Sequence, residues 1–122
     1  MKLYHLSRDY LGVETVMIPK VPSQASIDEN RTIKRICCAD DIKKCLLGIT
    51  WSHNLGEYYV YQPIGRFAKS IDWDGPRNHV PDWQDTEEVW ITEPVKWKFL
   101  YKIKINWPIG FETTFKRIKM EE

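Results

Sequence analysis

Val95-Lys96-Trp97-Lys98-Phe99-Leu100-Tyr101-Lys102-Ile103-Lys104-Ile105-Asn106-Trp107 decides the fold: every odd position is apolar or aromatic, and Lys96, Lys98, Lys102 and Lys104 fill most even ones. A strand points successive side chains to opposite faces, so this alternation predicts a half-buried antiparallel strand or bent hairpin with a solvated cationic face. Glu88-Val89-Trp90-Ile91 before it and Phe111 to Ile118 after it complete a C-terminal block of three expected strands.

Upstream, Leu3 to Ser7 reads as a first strand, and Arg35 to Ala39 as another. Ile42, Cys45, Leu46 and Ile49 follow at helical spacing behind Asp40 and Asp41, either of which caps the helix by accepting from its free amides. Glu57 to Gln62 is a β-branched and aromatic run that Pro63 is expected to end. Two stretches rich in turn residues, 9–34 and 64–86, read as long surface excursions, the first with a brief apolar Val16-Met17-Ile18 inside it. Loops this long in a small domain are commonly functional, so the pair implies a binding face. The expected fold class is α+β: a mostly antiparallel, split β-sheet with one or two short helices and long loops.

With 122 residues, the chain has material for one core, and a single domain over 1–122 is expected. Its 18 basic and 17 acidic residues nearly cancel, so any polyanion partner needs a local patch. The lysine row of 96–104, with aromatic neighbours, is such a patch if it tracks phosphates; otherwise alternate lysines simply solvate and protect a sheet edge. Cys37, Cys38 and Cys45 are odd in number and lack CxxC spacing, which argues against a disulfide framework and for a reducing compartment. The N-terminus enters a strand pattern directly, so the chain reads as a complete cytoplasmic protein without a membrane span. His5, His53 and His79 show no metal-ligand spacing, and no metal is expected. Phosphate-loop glycine motifs are absent.

Three pieces in order resemble the ADP-ribosyltransferase superfamily, with its diphtheria-toxin-like, poly-ADP-ribose and RNA 2′-phosphotransferase branches. Leu3-Tyr4-His5-Leu6-Ser7 is similar to the family's opening Tyr-His motif. The resemblance implies that His5 bonds a ribose of NAD, and that the backbone of Leu6, helped by Ser7, holds the nicotinamide carboxamide. Arg35 to Leu46 resembles the strand and helix lining the nicotinamide side, but Ile36 and Cys37 stand where the family usually has a stacking aromatic. Tyr58, Tyr59 or Tyr61 would then supply the ring. Thr86-Glu87-Glu88 and the strand after it resemble the late Glu-X-Glu strand, which implies that Glu88 bonds the nicotinamide ribose. Thr86 occupies the place where members with amino-acid targets carry Gln or Glu.

The chemistry of that resemblance is specific. Cleaving the nicotinamide–ribose bond leaves a cationic sugar, and a carboxylate beside it stabilises charge that exists only in the transition state. Arg8, Arg31 and Arg35 are the candidates for the diphosphate, because a guanidinium forks onto phosphate oxygens. Trp73 and Trp83, with Thr86, fall in the region that contacts the acceptor, a protein or nucleic acid. Each residue also has a plainer role: Glu88 as a solvent-facing glutamate, His5 as a structural histidine, the tryptophans as core plugs. The alternative expectation is a non-enzymatic binding or inhibitor protein, of phage or mobile-element type, that acts through its aromatic loops and ignores NAD.

Overall fold

The computed structural model describes residues 2–21, 33–50, 56–79, 87–107 and 114–120. The elements in chain order are β1 (His5–Ser7), β2 (Glu14–Met17), β3 (Ile36–Cys38), α1 (Ile42–Thr50), β4 (Glu57–Ile64), a 3₁₀ turn (Ala68–Ser70), β5 (Ile71–Asp72), α2 (Asp74–His79), β6 (Val89–Ile91), β7 (Val95–Trp107) and β8 (Thr114–Ile118). This is an α+β structure of antiparallel strands, and the strands form two sheets. The larger has the order β1-β4-β7-β2, with β8 also on β7; the smaller has the order β3-β6-β5. Single bridges, Tyr4 to Ala39 and Lys20 to Arg35, stitch the sheets together.

β7 is the spine, but its alternation does not produce one cationic face. Val60 pairs with Tyr101 while Tyr61 pairs with Phe99, so Leu100 is an extra residue without an opposite number. One inserted residue inverts the pleat on its own strand. Val95 and Trp97, with Phe99 packed beside them, therefore join Tyr61, Met17 and the smaller sheet's Ile36, Cys38, Val89 and Ile91 in one core cluster. Ile103 and Ile105, with Tyr101 packed beside them, join Leu6, Tyr58, Val60 and the α1 residues Ile42 and Leu46 in the other. The smaller sheet covers one end of the spine on one face, and α1 covers the other end on the opposite face. The expected single lysine row is thereby split, with Lys96 and Lys98 on one side and Lys102 and Lys104 on the other.

Four further expectations change. The stretch expected as a long excursion from residue 9 contains β2, because the first half of β7 has a free edge that Glu14–Met17 fills. Pro63 does not end β4 but lies within it, opposite Trp97. Partner β1 reaches only as far as Tyr61, so the missing N–H of Pro63 falls where β4 is an edge. The second excursion holds the 3₁₀ turn, β5 and α2, whose first amides, from Asp74 and Gly75, donate to Asp72 Oδ1 at 3.1 and 2.9 Å. β6 does not join β7 in a C-terminal block; it pairs with β3 and β5, and Thr92 N–H donates to Ser70 O as the chain leaves it. The helix start at Asp41 is as expected, its Oδ1 accepting from Lys43 N–H at 2.7 Å. No described helix is long and apolar enough to cross a membrane.

Candidate functional site

Alternation along β3 and β6 puts Cys37 and its partner Trp90 on the face of the smaller sheet turned away from the core cluster, and Glu88 precedes Trp90 by two residues. Trp90 is fully buried there and donates its Nε1–H to Glu88 Oε2 at 3.0 Å. Arg35 stacks on the same indole, its guanidinium carbon 4.2 Å from the ring centroid, and donates to Ile33 O at 2.9 Å. The Cys37 thiol lies beside both charged groups. Burial first, and then the Glu88 carboxylate, push its pKa well above the ordinary thiol value, against a smaller pull downward from Arg35. Such a thiol is protonated at neutral pH and is a poor nucleophile.

Above this layer a cleft of about 260 Å³ is lined by Leu3, Asp40, Trp73, Arg77, Glu87, Glu88 and Val89. Its walls come from the approach to β1, the start of α1, the start of α2 and the approach to β6. Lys44 ties two of them together, reaching Asp40 at 2.9 Å and Glu87 at 3.4 Å. Glu87 has φ +47°, a left-handed conformation that costs a non-glycine residue about 1 kcal/mol or more. Glu87 and Glu88, consecutive across that turn, both line the cleft. Trp73 is 50% exposed at the rim. Gly75, in the first turn of α2, lies against Trp90: a Cβ there would come within 2.8 Å of the ring, so glycine lets the helix settle on the indole that holds Glu88.

Among the residues expected at the site, Glu88 and Trp73 meet in this cleft. His5 does not line it. Its Nδ1 is 2.7 Å from Cys37 O, which accepts the hydrogen bond, and its ring packs 5.8 Å from that of Trp97. His5 and Glu88 thus both reach Cys37, one at its carbonyl and the other at its thiol. Leu6 is packed under α1, and the Ser7 hydroxyl donates to Asp9 O at 2.8 Å. Arg35 is buried beneath Trp90, and Tyr59 lies on the larger sheet next to Tyr10 and Phe99. Of the other two arginines, Arg8 lies over the Tyr58 ring at 4.3 Å and Arg31 is outside the described residues. Trp83 and Thr86 are outside them as well.

Arg77 is a charged cleft residue that the sequence reading passed over, and Asp40, read there only as a helix cap, is another. Arg77 follows Trp73 by four residues, one helical turn, a signal hidden because Asp74-Gly75-Pro76 looks like a turn. Among the described residues no group of three or more His, Cys, Asp and Glu side chains is placed to hold a metal ion. No protein family, characterised protein or solved structure matches the chain.

Proposed function

We propose that this chain handles NAD in the manner of an ADP-ribosyltransferase, with the nicotinamide–ribose end of the dinucleotide in the Glu88 cleft. The observation that supports the reading is the shared wall: each of the three family-like pieces contributes to one cleft, Leu3 from the first, Asp40 from the second and Glu88 from the third. The cleft's chemistry suits a pyridinium ring. Asp40, Glu87 and Glu88 line the space, the first two sharing Lys44, and the Trp73 indole at the rim is a side chain of the kind that attracts a flat cation. Its volume of about 260 Å³ falls just under the usual range for small-molecule sites, so it takes a ring and its sugar and leaves the diphosphate outside, within reach of Arg77.

In this reading Glu88, held by the Trp90 N–H, bonds a ribose hydroxyl and stabilises the cationic sugar as nicotinamide leaves. Asp40 or Glu87 accepts from the other ribose hydroxyl, and His5 braces β3 rather than touching the sugar. ADP-ribose then passes to a macromolecular acceptor, or to water.

A second reading, the non-enzymatic binding or inhibitor protein, is favoured by the half-exposed Trp73, which is the kind of side chain that anchors a protein interface. Calorimetric titration with NAD, followed by a nicotinamide-release assay, separates the two. Saturable binding, with release abolished in Glu88→Gln, supports the transferase. Heat indistinguishable from dilution removes it and leaves the interface at Trp73, to be tested by whether Trp73→Ala loses a captured partner.

A further inference from the structure

The smaller sheet covers one end of β7, and among the described residues its core cluster does not extend to the other end of the same face. Register places two rows there: Glu57, Lys104 and Lys116 in one, and Tyr59, Lys102 and Ile118 in the next. Lys104 and Lys116 are exposed. Lys102 pairs with Glu57 at 2.8 Å and approaches the Tyr59 ring, its Nζ 5.3 Å from the centroid. One acidic side chain therefore stands against three cationic ones, and an aromatic surface lies directly beside them.

That aromatic surface is built rather than incidental. Tyr10 is 43% exposed, yet its ring packs 5.6 Å from Tyr59 and, edge-on, 5.3 Å from Phe99. The buried Tyr61 pins the backbone that carries it: the Tyr61 hydroxyl accepts from Leu11 N–H at 2.8 Å and donates to Gly12 O at 3.0 Å. Gly12, at φ +98°, makes the turn that brings the chain back into β2, a conformation open to glycine. An exposed ring fixed in this way has already lost the freedom that binding would otherwise remove.

We propose that this face binds single-stranded nucleic acid, with bases stacking on Tyr10 and Tyr59 and phosphates meeting Lys104 and Lys116. A sheet face with rings beside a cationic row matches a splayed strand, in which every base offers a π-face and every linkage a negative charge. No described helix projects from this face to enter a duplex groove. The inference does not depend on the NAD reading.

The test is fluorescence anisotropy of labelled oligothymidine and oligouridine, roughly 15 nucleotides long, against the full chain in about 50 and about 200 mM KCl. Saturable binding is expected, weaker by about sevenfold at the higher salt if two lysines each displace a counterion. Tyr10→Ala is expected to weaken it about tenfold or more, and Lys104→Ala with Lys116→Ala to flatten the salt dependence. All three side chains are exposed, and circular dichroism checks that the variants keep the fold. No saturation at the lower salt overturns the proposal. So does binding that Tyr10→Ala leaves unchanged and that heparin or a phosphoserine peptide displaces equally well, since such a surface reads charge alone.

Discussion

The indole N–H of Trp90 donates to Glu88 Oε2 at 3.0 Å, so the cleft carboxylate is aimed by a side chain that is itself fully buried. Trp90→Phe removes that donor while keeping a ring for Arg35 to stack on. A hydrogen bond to a charged acceptor contributes about 1.5–3 kcal/mol, so a stability loss of that order is expected in urea unfolding. If the carboxylate acts on NAD, nicotinamide release should fall more than NAD affinity, because the lost bond orients Glu88 rather than gripping the dinucleotide. Unchanged stability would mean that Glu88 finds an equivalent donor elsewhere.

Burial lowers the His5 pKa below its ordinary 6.5, partly offset by the Cys37 carbonyl that its ring bonds. Below that ordinary value the unfolded chain takes up a proton that the folded chain resists, so folding weakens as pH falls from about 6.5 toward the depressed value. His5→Asn can keep a donor toward Cys37 O but cannot titrate. Between about pH 7 and pH 5 the wild type should lose more stability than this variant in paired urea curves. Parallel losses would show that carboxylates elsewhere account for the acid sensitivity.

These residues also show what was legible in advance. Glu88 and Trp73 carried recognisable chemistry in the chain, and both reach the cleft. His5 carried it too, but which atom a histidine bonds depends on a strand more than thirty residues away, and that strand offered a carbonyl. The alternation of β7 was plain, yet period-two reading on one strand cannot see an unpaired residue, because a bulge is a property of two strands in register. β2 escaped notice for a related reason: four residues with Gly12 and Pro19 near them have little strand character until β7 supplies an edge.

All three cysteines are held protonated. Burial raises Cys37 and Cys38 well above the ordinary thiol value of 9.0 and Cys45 to about 12. In the native protein at about pH 8, a disulfide reagent should therefore react slowly with every thiol, and in concentrated guanidinium all three should react at once. The same shifts predict alkaline weakening. Above about 9 the unfolded chain sheds thiol protons that the folded chain retains, so stability should fall as pH rises from there toward about 12. Fast native labelling at Cys37 would show that water reaches the layer under Glu88.

Leu100 gives the sharpest test of the architecture, because its role is to be one residue too many. Deleting it makes Phe99 and Tyr101 neighbours that still lie opposite Tyr61 and Val60, so the bulge goes but both clusters keep their faces. That deletion gives up only a half-buried side chain and should fold with a modest loss. Inserting one residue between Val60 and Tyr61 instead gives Leu100 an opposite number and restores uninterrupted alternation, which turns either Val95 and Trp97 or Ile103 and Ile105 out of their clusters and sends lysines in. Trp97 is fully buried, and losing a large aromatic from a core costs about 3–5 kcal/mol before any charge is buried in its place. That approaches the lower end of the stability of a domain this size, about 5–15 kcal/mol, so the insertion variant should show no cooperative urea transition and collapsed amide dispersion by NMR. An insertion variant that unfolded cooperatively, like the wild type, would mean that the two clusters do not depend on the inverted pleat.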